Sequence, residues 1–148
     1  TWRIFYDRLA NAPYNVFDWA FMNYDYDYND KNKEPNLEDK DEKYRYCIQL
    51  FQHSLSELDV KGKTLLEIGF GRGGGASYMA RYMPLKKVTA IDYSSNAIAL
   101  CRKALRKTNL KFQEGDAINI PFDEASYDIV LNVESSHCFR TCLNFYQK

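Results

Sequence analysis

The stretch Thr64-Leu65-Leu66-Glu67-Ile68-Gly69-Phe70-Gly71-Arg72-Gly73-Gly74-Gly75 decides the fold. Its first five residues form a short, largely apolar run that ends in glycines, as a strand buried in a parallel sheet does. Five glycines within seven residues follow. They let the backbone turn tightly and approach a ligand with no Cβ in the way, and a helix start beyond them offers unpaired N–H groups. A nucleoside-sized ligand fits such a place. Two parses are open. As G-x-G-x-x-G through Gly69, Gly71 and Gly74 it is a dinucleotide fingerprint with Asp92 as the ribose partner. As E-x-G-x-G-x-G it runs through Glu67, Gly69, Gly71 and Gly73.

Working outward, residues 76–83 read as a helix closed by Pro84, and 87–91 as a second strand ending on Asp92. Ser94 or Ser95 caps a helix to about Lys107, whose last turns carry Arg102, Lys103, Arg106 and Lys107, the sign favoured at a helix C-terminus. Residues 111–113 give a third strand, 121–126 a loop and 127–133 a fourth strand. Upstream, Tyr44, Cys47, Ile48, Phe51, Leu55 and Leu58 recur at three- and four-residue intervals, the mark of one apolar helical stripe starting near Asp41. Strands alternating with helices on short links predict a parallel sheet with helices on its faces.

Residues 1–40 form a separate segment rich in aromatic residues, Asn and Asp, with short helices expected at 2–9 and 16–22. The Tyr24, Tyr26, Tyr28 alternation reads equally as a strand or as a loop or lid over the site. Residues 41–148 form the ligand-binding domain.

The chain has 148 residues, 45% hydrophobic, 27% charged and 16% aromatic. That is the usage of one globular domain, too rich in aromatic residues for a disordered chain and too short for two ordinary domains. Twenty basic residues balance twenty acidic ones, so no overall field is available to hold nucleic acid. No apolar run approaches the ~20 residues that span a bilayer, and the first residues lack the apolar core of a secretory signal. A cytoplasmic protein is expected. Cys47, Cys101, Cys138 and Cys142 contain no C-x-x-C pair and read as reduced thiols, with no metal site expected.

Glu67-x-Gly69-x-Gly71-x-Gly73 resembles motif I of the class I S-adenosylmethionine-dependent methyltransferases. Three more stretches match that family in order: Asp92 at the end of the second strand, Gly115-Asp116-Ala117 after the third, and the aromatic-Asp pair Tyr127-Asp128 opening the fourth. The segments 44–46, 72–78 and 132–138 narrow the likeness to small-molecule O-methyltransferases of the phthiotriolone, polyketide and sugar type. The resemblance implies a Rossmann-like three-layer α/β sandwich with a mainly parallel sheet. This chain would supply the first four of its seven strands, plus N-terminal helices, and an exposed edge on the fourth strand would favour self-association.

The cofactor implied is S-adenosyl-L-methionine, held by Glu67, Gly69, Gly71, Gly73, Asp92, Tyr93, Asp116, Ala117 and Asn132. The reaction implied is methyl transfer to a hydroxyl of a natural product, lipid or sugar. Glu134 and His137 occupy a Glu-x-x-His stretch that lines the active site in this group. His137 is the expected base, with Glu134 orienting it or bonding to ligand. Asp25 departs from the family, standing where relatives often carry Gly, and Phe70 replaces a common Cys.

Each residue also has a plainer reading. Asp92 can cap a helix, Asp116 can serve a turn, Asp128 suits a structural cap, and a lone His is often structural. The formal dehydrogenase pair Tyr82-x-x-x-Lys86 contains Pro84, which breaks the helix such a pair requires. An NAD(P)-dependent oxidoreductase and a non-catalytic binding fragment are the competing functions.

Overall fold

A computed structural model describes residues 19–136. Four strands, β1 (Thr64–Ile68), β2 (Lys87–Asp92), β3 (Leu110–Glu114) and β4 (Ile129–Leu131), form one parallel sheet in the order β3-β2-β1-β4. Three helices accompany it: α1 (Arg45–Leu55), α2 (Gly74–Tyr82) and α3 (Ser95–Ala104). The alternation read from sequence is the alternation observed.

Side chains along β1 point alternately to the two faces of the sheet, and the two faces are covered differently. Leu65, with Val88, Ala90, Phe112 and Leu131, joins the main core with Ile48, Phe51 and Leu55 of α1, Met79 of α2 and Ile98 of α3. Leu66 and Ile68, with Ile91, instead meet Ala117, Ile120, Phe122 and Tyr127 from the irregular chain between β3 and β4. Among the described residues the helices therefore serve one face and a folded loop serves the other.

Several boundaries differ from the sequence reading for identifiable reasons. A 3₁₀ turn over Asp39–Tyr44 precedes α1, so the α-helix begins at Arg45, whose guanidinium bonds to Glu42 and Glu34. Helix α3 is capped by Ser94, which accepts from the Ala97 N–H, but it ends at Ala104, leaving Arg106 and Lys107 beyond it. Strand β4 is shorter than expected, because side chains take over at both ends. Tyr127 packs edge-on against Phe122, Asp128 caps Thr64, and the Asn132 amide bonds to the Ile68 carbonyl. Residues 19–22, expected to be helical, are not, and they run against the start of α2. The expected helix over 2–9 lies outside the described residues.

The segment from Asn23 onward is packed on α1 without forming a strand. The Tyr26 N–H donates to the Tyr46 carbonyl, Tyr26 stacks on His53 at 4.2 Å between centroids, and Tyr28 meets the same ring edge-on. A second anchor is Asp41, 7% exposed, which receives two bonds from the Arg81 guanidinium (2.6 and 2.8 Å) and one from the Tyr82 hydroxyl. Burial pushes the Asp41 carboxyl up, but the bonds from Arg81 and Tyr82 outweigh it and hold the group below its ordinary 3.8.

Asp41→Asn removes the charge and strands Arg81, so it should destabilise the protein by about 2 kcal/mol at neutral pH, measured by urea denaturation. Because the folded-state pKa is depressed, the wild-type advantage is complete above the unfolded value. It is lost as pH falls through the folded one, and an advantage that does not shrink as the pH is lowered below the unfolded value would refute this account.

Candidate functional site

The carboxyl ends of parallel strands, at the point where the strand order reverses, form a crevice. Here the reversal lies between β1, which has β2 on one side, and β4 on the other. The glycine loop rises from β1 at this point, and the N–H groups of four of its glycines are held by acceptors of the protein itself. The Gly69 N–H donates to the Ile91 carbonyl (2.8 Å), the Gly71 N–H to Asp92 Oδ2 (2.9 Å), and the Gly73 N–H to the Phe70 carbonyl (2.9 Å). The Gly74 N–H goes to the Ala20 carbonyl (3.1 Å). Gly73 takes the left-handed conformation, φ +80°, as the residue that starts α2.

Asp92 stands at the end of β2 as expected. It is not the cap of α3, a role held by Ser94. Its two oxygens accept from the Gly71 N–H and from the Ser94 N–H (3.0 Å), which fixes the carboxylate. Glu67 is 2% exposed, and its Oε2 has no hydrogen-bond partner. Burial, and after it the Asp92 charge, push its carboxyl up to about 8. Tyr93 projects outward, 53% exposed. Asp116 closes a turn, Oδ1 accepting from the Ile118 N–H and its carbonyl from the Asn119 N–H, so the turn reading describes its observed contacts. Ala117 packs beneath the loop on Leu66, Ile68 and Ile91. Asp128 is a structural cap at the opposite end of β1, bonded to the Thr64 N–H and hydroxyl, and takes no part in the crevice.

Beyond β4, Asn132 and Ser135 both donate to the Ile68 carbonyl, which places the Ser135 hydroxyl against Gly69. Glu134, a non-glycine residue at φ +54°, accepts the Tyr24 N–H at Oε2 (2.6 Å). The expected base, His137, lies outside the described residues, as do Cys138 and Cys142. The Cys47 thiol donates to Asp25 and is pushed up to about 12, first by burial and then by that bond, so it stays protonated. Cys101 is buried and free, donating to the Arg72 carbonyl.

Sequence reasoning missed the strap formed by residues 19–24. Arg72 Nε donates to the Trp19 carbonyl (2.5 Å), Ala20 caps Gly74, and Met22 Sδ lies 3.1 Å from where a Cβ on Gly71 would be. These contacts join segments some fifty residues apart, and no spacing rule signals them. Tyr82, half of the formal dehydrogenase pair, is spent on Asp41 and the Glu38 N–H.

Residues 66–147 match the methyltransferase domain family. The chain belongs to that family. It is 43% identical over 132 residues to the fatty-acid O-methyltransferase of Mycolicibacterium smegmatis, covering 89% of this chain and 48% of that protein. It is 39% identical over 138 residues to the phthiotriol/phenolphthiotriol dimycocerosates methyltransferase of Mycobacterium tuberculosis, covering 93% and 50%. The chain thus spans about half the length of these relatives. Among solved structures, a SAM-dependent methyltransferase from Aquifex aeolicus superposes with a TM-score of 0.54 at 23% identity, over 66% of this chain and 54% of that one. The likeness extends to the fold.

Two glycines separate backbone strain from crowding. Gly62, at φ +71°, has open space around it, whereas a Cβ on Gly73 would lie 2.8 Å from Cys101 Sγ and 3.0 Å from Leu105 and Phe112. Gly62→Ala should cost about 1 kcal/mol from the left-handed backbone alone. Gly73→Ala should cost roughly 2 kcal/mol more, since the core must also give way. Equal losses in urea melts would refute the crowding at Gly73.

Proposed function

We propose that this chain carries the S-adenosylmethionine site of a methyltransferase acting on a small, lipid-like acceptor. The observation that carries the reading is how the backbone N–H groups around the start of α2 are used. A dinucleotide site needs such groups free for a pyrophosphate. Here Gly71, Gly73 and Gly74 donate to Asp92, Phe70 and Ala20, and the strap covers the helix start. What is offered instead is acidic: an Asp92 carboxylate oriented at the end of β2, of the acceptor type that two ribose hydroxyls need, and a buried Glu67 suited to a positively charged ligand group.

The donor supplies a methyl group on a cationic sulfur. The protein's part is placement and exclusion of water, since in-line displacement gains most from a fixed approach of about 3 Å. Asp92 would grip the ribose and Asp116 and Ala117 would border the adenine. Gly69, Gly71 and Gly73 would allow close backbone approach, and Asn132 would present its side-chain carbonyl, its amide being tied to Ile68. Strap residues 22–24, joined to Glu134, would shut the crevice from solvent. His137 would accept the proton of an acceptor hydroxyl, with Glu134 beside it in sequence. The relatives' names favour a lipid hydroxyl or carboxyl as acceptor.

Isothermal titration of the full chain should show micromolar binding of S-adenosylmethionine and none of NAD+ or NADP+. Asp92→Ala should weaken the former by more than about tenfold, from loss of charge-assisted bonds. Binding of NAD(P) alone would reverse the assignment. Transfer of a labelled methyl group to long-chain alcohols, fatty acids or glycosides then identifies the acceptor.

A further inference from the structure

Glu67 is a carboxylic acid in a medium that disfavours its charge. It sits on the helix-facing side of β1, in line with Leu65, flanked in register by Ala90 of β2 and Leu131 of β4, both apolar. Above it lies the glycine loop, and beside it Cys101, whose thiol reaches the Arg72 carbonyl and crowds Gly73. A fully buried carboxylate oxygen with no donor costs several kcal/mol if ionised, so a residue of this kind persists for a reason other than stability.

The surrounding titratable and charged groups offer no countercharge among the described residues. Asp92 from β2 carries the same sign. Cys101 on α3 is itself pushed up to about 12, first by burial and then by Asp92, and stays neutral. On α2, Arg81 is committed to Asp41; on α1, Arg45 is committed to Glu34 and Glu42, and His53 stacks on Tyr26. Beyond β4, Glu134 is bonded to Tyr24, and in the loop the buried Arg72 bonds to the Trp19 carbonyl and its charge acts on Cys101, whereas the only charge acting on Glu67 is that of Asp92. The missing charge is a positive one, and it can come from the ligand.

We propose that Glu67 selects a cationic ligand and gives up its proton to solvent when that cation docks at the glycine loop. The inference rests on the donor reading above and extends it. The balance is one proton: a neutral Glu67 carboxyl and a ligand cation become a carboxylate–cation pair, and a proton leaves to buffer. Burial holds the proton on Glu67 in the free protein, at about 8, and a cation nearby removes it. Affinity for the donor therefore rises with pH up to that value, by at most about tenfold per pH unit. If the cation concerned is the sulfonium, transfer of the methyl group discharges it. Glu67 then takes back a proton, and the neutral-sulfur product is held less firmly than the donor.

Calorimetric titration of the full chain at pH 7 in phosphate and in Tris counts the protons released. S-adenosylmethionine should release most of one proton, since Glu67 is largely protonated below its raised pKa. Uncharged 5′-methylthioadenosine should release none. S-adenosylhomocysteine assigns the cation: release with it marks the ammonium, and release with the donor alone marks the sulfonium. Glu67→Gln should bind without the release and lose the wild-type gain in affinity between pH 6 and 7.5. Infrared difference spectra of the wild-type protein should show loss of a protonated carboxyl band on binding, a readout independent of the variant's folding. Donor binding with no proton release, or equal release with methylthioadenosine, overturns the inference while leaving the donor site intact. Absence of donor binding overturns the site itself.

Discussion

The site depends on the join between the ends of β1 and β2. Parallel strands need their register held, and at the top of this pair the register passes from strand to loop without a break. Ile68 pairs with Ile91, the Gly69 N–H reaches the Ile91 carbonyl, and the Gly71 N–H reaches the Asp92 side chain. Asp92 thus has a structural role, since it ties the glycine loop to the N-cap of α3. A loop of glycines would otherwise lose much entropy on ordering, and these bonds from the strand ends offset that cost.

The same join places the carboxyl groups of Glu67 and Asp92 at the strand ends beside the glycine loop. The Gly69, Gly71, Gly73 and Gly74 N–H groups are already engaged by carbonyls and by Asp92. The strap completes this: the Ala20 carbonyl sits on Gly74, where any side chain would collide with it, and Phe51 presses on Gly75 in the same way. Glycines at 74 and 75 serve backbone-to-backbone and backbone-to-ring packing, whereas those at 69 and 71 face Ser135 and Met22 across the crevice. One tract therefore does two jobs, and its length reflects both.

The chain belongs to the methyltransferase domain family, and its fold is like that of a solved methyltransferase. Among the described residues no helix is long and apolar enough to cross a membrane. The N-terminal segment is held to the domain by two anchors of different kinds. One is the buried Asp41–Arg81–Tyr82 cluster, and the other is the aromatic stack of Tyr26 and Tyr28 on His53. Between them, Tyr24 stays exposed and linked to Glu134. Segment and crevice are mechanically continuous.

The amino-acid sequence by itself determined the local elements and their order. Apolar runs, glycines and caps act over a few residues, so β1 was legible residue by residue, β2 and α2 nearly so, and Glu67 and Asp92 could be placed at strand ends. Ends governed by distant partners were not legible: β4 is clipped by Asp128, Asn132 and Phe122, and the first turns before α1 are drawn into a 3₁₀ form near Asp41 and Arg45. The strap, the Glu134 contact and the isolation of Glu67 were decided only by tertiary structure. Each depends on which segments pack together across fifty or more residues, and on the dielectric that packing creates, neither of which a local pattern of residue types encodes.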